Sequence, residues 1–216
     1  MSARIALLKR IADEIMCLGR KDITFVAVDG VDGSGKTMFA DELVAFLKSQ
    51  LVIRASVDGF HNPRAIRYAR GKSSPEGFFL DSYNYELMKA CLLDPLLPEG
   101  GFEYRDRAFD HRTDQPVDAP WFKATRPSIL LIDGIFLHRP ELRGYWHYSV
   151  FLAVDRREAL RRCNMRDGHP DHSTDLDDPV HARYVRGQDL YLAQCVPQQL
   201  ATRVVNNTDL QNPCIA

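Results

Sequence analysis

Gly30-Val31-Asp32-Gly33-Ser34-Gly35-Lys36-Thr37 decides how this chain is read. The stretch satisfies G-x-x-x-x-G-K-[S/T], and its context gives that pattern meaning. A β-branched apolar run, Ile23 to Val28, leads into it, and Phe39, Leu43, Val44 and Leu47 follow at helical spacing. A strand that turns through glycines into a helix points successive backbone N–H groups at an anion, and the helix dipole adds its positive end. Gly30, Gly33 and Gly35 let the backbone of the loop, Ser34 included, wrap closely around phosphate oxygens. Lys36 matches the charge on the β- and γ-phosphates, and the Thr37 hydroxyl suits Mg²⁺. The loop is therefore expected to bind the phosphates of a nucleoside triphosphate, with Asp32 as a secondary candidate at its edge.

On either side the pattern alternates. Helical spacing marks 3–19, 38–48, 83–93, 156–166 and 180–192; short apolar runs at 51–57, 129–132, 150–154 and 203–205 join 23–28 as strands. Strands alternating with helices predict an α/β chain of the P-loop NTPase type, with a parallel sheet of about five strands covered by helices on both faces. One domain over 1–216 is expected. Residues 94–127, rich in Pro, Gly and charge, have little periodicity and read as a hairpin-like excursion over the substrate side. The region 156–190 reads as a lid. Three strands end alike, at Asp29-Gly30, Asp58-Gly59 and Asp133-Gly134. Ligands of open parallel sheets bind beyond the carboxyl ends of the strands, so these three carboxylates are expected to converge there.

The composition bounds the function. Of 216 residues 45% are apolar, enough for a core, and the net charge of −1 supplies no field for nucleic acid or an anionic membrane. Five scattered cysteines without a CxxC pair suggest reduced thiols. No run approaches the length of a membrane span, and 1–20 is amphipathic, unlike a signal peptide. The expectation is a cytoplasmic protein acting on small molecules, with homo-oligomerisation left open.

Nucleotide-binding subclasses separate on further motifs. Asn206-Asn207-Thr208-Asp209 lacks the lysine of a guanine-reading NKxD, and Val185-Arg186-Gly187-Gln188 is not a transporter signature. Transfer of a phosphoryl group to a hydroxyl needs a carboxylate to take the proton and cations on the moving group. Asp58 stands where the base is expected, Asp133 where an Mg²⁺ acid is expected, and Lys36 with Arg162 and Arg166 supplies positive charge. Arg156, Arg157 and Arg161 complete a basic helix. His169 and His172, beside Asp167 and Asp171, match no metal spacing, and Trp121 and Trp146 are expected to serve packing.

Together these residues resemble the uridine kinase and phosphoribulokinase-like family, which includes bacterial pantothenate kinase. The resemblance runs from about residue 22 to 209, through the phosphate loop, Asp58-Gly59-Phe60-His61, Ile132-Asp133-Gly134-Ile135 and Arg162 to Asp167. It implies an ATP- and Mg²⁺-dependent kinase with Asp58 as catalytic base. Lys36 and Arg166 would stabilise charge, and Thr37 and Asp133 would hold the metal. It further implies substrate contacts from His61, Tyr83, Tyr104, His111 and Arg112, and places Asn207 near the adenine. The acceptor it implies first is the 5′-hydroxyl of uridine or cytidine. Asp133 stands where the family has Glu, and Asp-Gly-Phe-His is closer to the pantothenate- and sugar-kinase branch, so pantothenate or a sugar is the alternative. A regulatory protein that binds ATP without turnover is the rival of another class.

Overall fold

The computed structural model describes residues 2–47 and 50–216. Strand β1 (Ile23–Gly30) is central and buried at every position. It pairs in parallel with β3 (Ser128–Gly134) on one side and β4 (Tyr148–Ala153) on the other. Beyond β3 lies β2 (Leu51–Ser56), and beyond β4 lies β5 (Arg203–Asn206), both parallel. A two-residue strand, β6 (Cys214–Ile215), adds an antiparallel edge, giving the order β6-β5-β4-β1-β3-β2. The five expected strands are all present; the sixth is too short to carry a pattern of its own.

The period of two along β1 divides the core. Val26 and Val28 pack with Leu8, Ile11 and Ile15 of α1 (Ala3–Met16) and with Phe39 and Leu43 of α2 (Lys36–Val44). Phe25 and Ala27 face the opposite layer, where Phe60, Phe78, Phe79, Phe136 and Tyr191 gather. That layer holds α3 (Pro75–Asp81) and α5 (Ala182–Cys195). The basic stretch forms α4 (Arg156–Arg166), started by the Asp155 side chain, which accepts the Glu158 N–H at 3.0 Å.

Four of the five expected helices differ in extent; that over 3–19 ends at Met16, and that over 180–192 spans Ala182–Cys195. The one over 38–48 runs from Lys36 to Val44, and Lys48 lies outside the described residues. The one over 83–93 is helical at Tyr85–Met88, where the Asn84 side chain caps it, and then widens to i→i+5 bonds over Lys89–Leu93. Asp94–Leu96 closes the segment as a single 3-10 turn that accommodates Pro95, which has no N–H to donate, in its first positions. Residues 94–127 contain two short antiparallel ribbons, Glu103–Tyr104 with Phe122–Lys123 and Phe109–Asp110 with Gln115–Pro116. Trp146 is half-buried and donates to the Leu137 carbonyl at 2.6 Å. Trp121, in contrast, is 53% exposed, with the Arg105 guanidinium over its ring.

Candidate active site

The phosphate loop is braced from behind. Gly33 lies at φ +72°, and a Cβ there would fall 2.1 Å from the Ala159 carbonyl oxygen, so the loop packs directly on α4. The buried Asn207 donates to the Ser34 carbonyl at 2.7 Å. Arg162 donates to the carbonyls of Gly33 at 3.4 Å, Asn207 at 3.2 Å and Thr208 at 2.5 Å, and to Glu158 Oε1 at 2.8 Å. Arg4 of α1 reaches Asn207 Oδ1 at 3.3 Å and the Leu210 carbonyl at 3.1 Å. Asn207 and Arg162 thus join the loop to the 206–210 turn through main-chain oxygens. Lys36 Nζ donates to the Val31 carbonyl at 2.7 Å.

Asp32 is held by Gln188 of α5, whose amide accepts the Asp32 N–H at 3.1 Å and donates to Asp32 Oδ2 at 3.2 Å. Burial raises the Asp32 pKa above its usual value, against the pull of Lys36 and Arg166. No motif marks Gln188 in the sequence.

The three Asp-Gly strand ends have three different fates. Asp29 is fully buried: it accepts from Gly30 N at 2.7 Å, from His138 N at 3.2 Å and from the Tyr191 hydroxyl, and lies 2.6 Å from His138 Nδ1. Its carboxylate turns into the protein. Asp133 is 2% exposed, accepts the Thr37 hydroxyl at 2.7 Å through Oδ2, and pairs with Arg54 at 2.8 Å through Oδ1. Asp58 is exposed. Strand β2 ends before it, and Val57–Phe60 makes one tight turn that starts with Ser56 Oγ accepting the Asp58 N–H at 3.3 Å.

The surroundings of Asp58 come from distant segments. Tyr83 donates its hydroxyl to Asp58 Oδ1 at 3.1 Å, and His61 Nδ1 lies 3.0 Å from the Asp58 carbonyl. The His61 ring sits 4.5 Å from each of the Tyr83 and His111 rings. Burial lowers the His61 pKa, and the charges of His111 and Arg67 add to that against the attraction of Asp58. Burial also raises the Tyr83 pKa well above its usual value, reinforced by the negative charge of Asp58. The excursion is pinned here: Ala108 N donates to the Gly59 carbonyl at 2.9 Å, and a Cβ on Gly59 would meet Arg107 Cβ at 2.8 Å. This close approach carries His111 and Arg112 to the cavity wall. Tyr104 belongs to the outer ribbon, 5.7 Å from the Phe122 ring, and is not among the residues that line the cavity.

Two cavities meet at Asp58. One, of about 520 Å³, lies over the phosphate loop and is lined by Gly33, Gly35, Lys36, Thr37, Asp133 and Arg162. The other, of about 530 Å³, is lined by His61, Arg67, Tyr68, His111, Arg112 and Arg183. Asp32, Asp58, Tyr83, Ile135 and Arg166 line both. Arg166 bonds Asp167 at 2.8 Å, and that hydrogen bond raises its pKa further. Of the other arginines of α4, Arg156 pairs with Asp189 at 2.5 Å and Arg161 with Glu158 at 2.7 Å. A third cavity of about 370 Å³ between α4 and α5 contains His169, His172 and Cys163, whose thiol burial pushes up to about 11. Among the described residues no group of three or more His, Cys, Asp or Glu is arranged to hold a metal. Likewise no described helix is long and apolar enough to cross a membrane.

No protein-family model matches the chain. In sequence it is 24% identical over 148 residues to a chloroplastic uridine/cytidine kinase of Arabidopsis thaliana, covering 66% of this chain and 29% of that protein. It is 26% identical over 156 residues to a pantothenate kinase of Nitrobacter hamburgensis, covering 64% and 48% respectively. In structure it is similar to a possible uridine kinase from Bacillus stearothermophilus, with a TM-score of 0.72 at 21% identity over 91% of this chain and 96% of that one.

The chain has the fold of the uridine kinase-like P-loop kinases. It spans less than half the length of these two curated relatives. In this P-loop kinase fold Thr37 and Asp133 form an all-oxygen pair beside Lys36, a donor set that suits Mg²⁺ completed by water. Arg54 already neutralises part of the Asp133 charge.

Proposed function

We propose that this chain transfers the γ-phosphate of ATP to a hydroxyl of a small molecule. The observation that carries the reading is that Asp58 and Arg166 line both cavities, one built around Lys36 and Thr37 and the other free of phosphate-loop glycines. With ATP in the first and an acceptor in the second, the reacting atoms meet at Asp58. The acceptor oxygen bonds to the γ-phosphorus as the bond from that phosphorus to the β,γ-bridging oxygen breaks. The electron pair leaves with ADP, and the hydroxyl proton passes to Asp58 Oδ2, the oxygen that Tyr83 leaves free. Lys36 and Arg166 face the charge that spreads over the moving group. Mg²⁺, held by Thr37 and Asp133, would screen the phosphates.

The acceptors in view are uridine or cytidine at the 5′-hydroxyl, pantothenate, and a sugar. Labelled ATP with a panel of these acceptors tests the reading. Transfer to at least one of them, reduced about 10²-fold or more in kcat by Asp58→Asn with ATP affinity kept, is the expected result. Binding of ATP with no transfer to any acceptor would replace the kinase with a nucleotide-binding regulator.

A further inference from the structure

On the basis of the kinase reading, we infer that the acceptor is an anion: besides the hydroxyl presented to Asp58 it carries a carboxylate or phosphate that seats among Arg67, Arg112 and Arg183.

The charge of the acceptor cavity is divided. Of its carboxylates, Asp32 and Asp58 also line the phosphate-loop cavity, and two of the three are already engaged, Asp32 by Gln188 and Asp167 by Arg166. The rest of the wall carries Arg67, Arg112 and Arg183 with His61 and His111. Arg67 is 9% exposed; its Nη2 lies 3.3 Å from Asp114, and its Nε has no hydrogen-bond partner. Arg183, 6% exposed, donates to the carbonyls of Gly71, Ser74 and Arg67, and among the described residues it pairs with no carboxylate. Both guanidinium groups lie over the Tyr68 ring, at 5.5 and 4.9 Å from its centroid, so the two buried cations are neighbours. Arg112 is exposed at the rim, and its side chain has no ion pair or hydrogen bond among the described residues.

Of the three cations, among the described residues only Arg67 pairs with a carboxylate, Asp114, which also accepts the Arg64 N–H at 2.9 Å. Like charges gathered in a concave, poorly solvated wall repel one another, and leaving a buried cation undercompensated is costly. Burial is the main cause of the lowered His61 pKa, and the charges of His111 and Arg67 act in the same direction. A planar oxyanion relieves the repulsion and matches the fork geometry of guanidinium groups. A neutral nucleoside would leave the charge as it stands.

Matched acceptor pairs test the inference on the full chain. Pantothenate and pantothenol share a primary hydroxyl and differ in the carboxylate; fructose 6-phosphate and fructose differ in the phosphate. Uridine is the neutral reference. The anionic member of at least one pair is expected to exceed its neutral twin and uridine by about tenfold or more in kcat/KM, and the pair that responds distinguishes carboxylate from phosphate. Arg112→Ala and Arg67→Gln should each shrink that ratio by about tenfold; Arg112, exposed, keeps the test valid if the Arg67 variant does not fold. Uridine or a neutral twin used as well as the anion, with a ratio unmoved by Arg112→Ala, would overturn the inference and leave the kinase intact. If nothing is phosphorylated, the kinase reading fails instead. Calorimetric titration of pantothenate and fructose 6-phosphate, with a non-hydrolysable ATP analogue present, then decides: binding lost in Arg112→Ala supports the anion seat, and no binding to the unaltered protein rejects it.

Discussion

Tyr83 donates its hydroxyl to Asp58 Oδ1 across 3.1 Å while remaining 6% exposed. The bond fixes one oxygen of an otherwise exposed carboxylate and leaves the other for the acceptor. Tyr83→Phe keeps the ring and removes this restraint. Steady-state kinetics should show kcat reduced about tenfold, a smaller loss than for Asp58→Asn, with the KM for ATP little changed.

The contact between Gly33 and Ala159 predicts a defect in nucleotide binding. Gly33→Ala would force a Cβ to within 2.1 Å of a backbone oxygen at a left-handed φ. Separation of the loop from α4 should cost about 1–3 kcal/mol, from the usual cost of overpacking and backbone strain. Titration with a fluorescent ATP analogue should show the Kd raised about tenfold or more.

Asp29 contributes to stability where its sequence context suggested chemistry. Tyr191→Phe removes one of the donors to its buried carboxylate and should lower the unfolding free energy by about 1–3 kcal/mol in urea titrations. His138 N and Nδ1 and Gly30 N remain as partners, so the variant should still fold.

Acid should loosen α4 through Glu158. Its hydrogen bond with Arg161, and then that with Arg162, pushes its pKa down to about 2 from 4.5. The folded-state value is depressed, so the unfolded chain binds the extra proton as pH falls. The stabilisation is complete above about 4.5 and is lost as pH falls toward 2. Melting temperatures measured across this window should fall less steeply for Glu158→Gln than for the unaltered protein. The effect should be modest, because Glu158 is partly solvated.

Much of this architecture is local and therefore legible along the chain. The glycine-lysine-threonine loop, the β-branched strands and the spacing of α1 and α4 each rest on residues within a few positions of one another. Backbone sterics and apolar periodicity act at that range, so element type and order, the parallel sheet and the phosphate loop follow from them. The contact between Thr37 and Asp133 also follows, because neighbouring strands of a parallel sheet end side by side.

Partnership between distant residues is another matter. Asp29, Asp58 and Asp133 share the same Asp-Gly context, yet one is locked inside by His138 and Tyr191, one stands exposed under Tyr83, and one is paired with Thr37 and Arg54. The Asn207 amide donates to the Ser34 carbonyl, 173 positions away. Arg67 and Arg183 lie 116 positions apart and carry no motif, and they meet over Tyr68 only because α5 packs on α3. Burial and electrostatic pairing depend on which surfaces come together once the chain has closed on itself, and no local pattern encodes that choice. The phosphate loop is thus written in the order of its residues, whereas the division of three identical carboxylates and the gathering of the acceptor-side arginines arise from long-range packing.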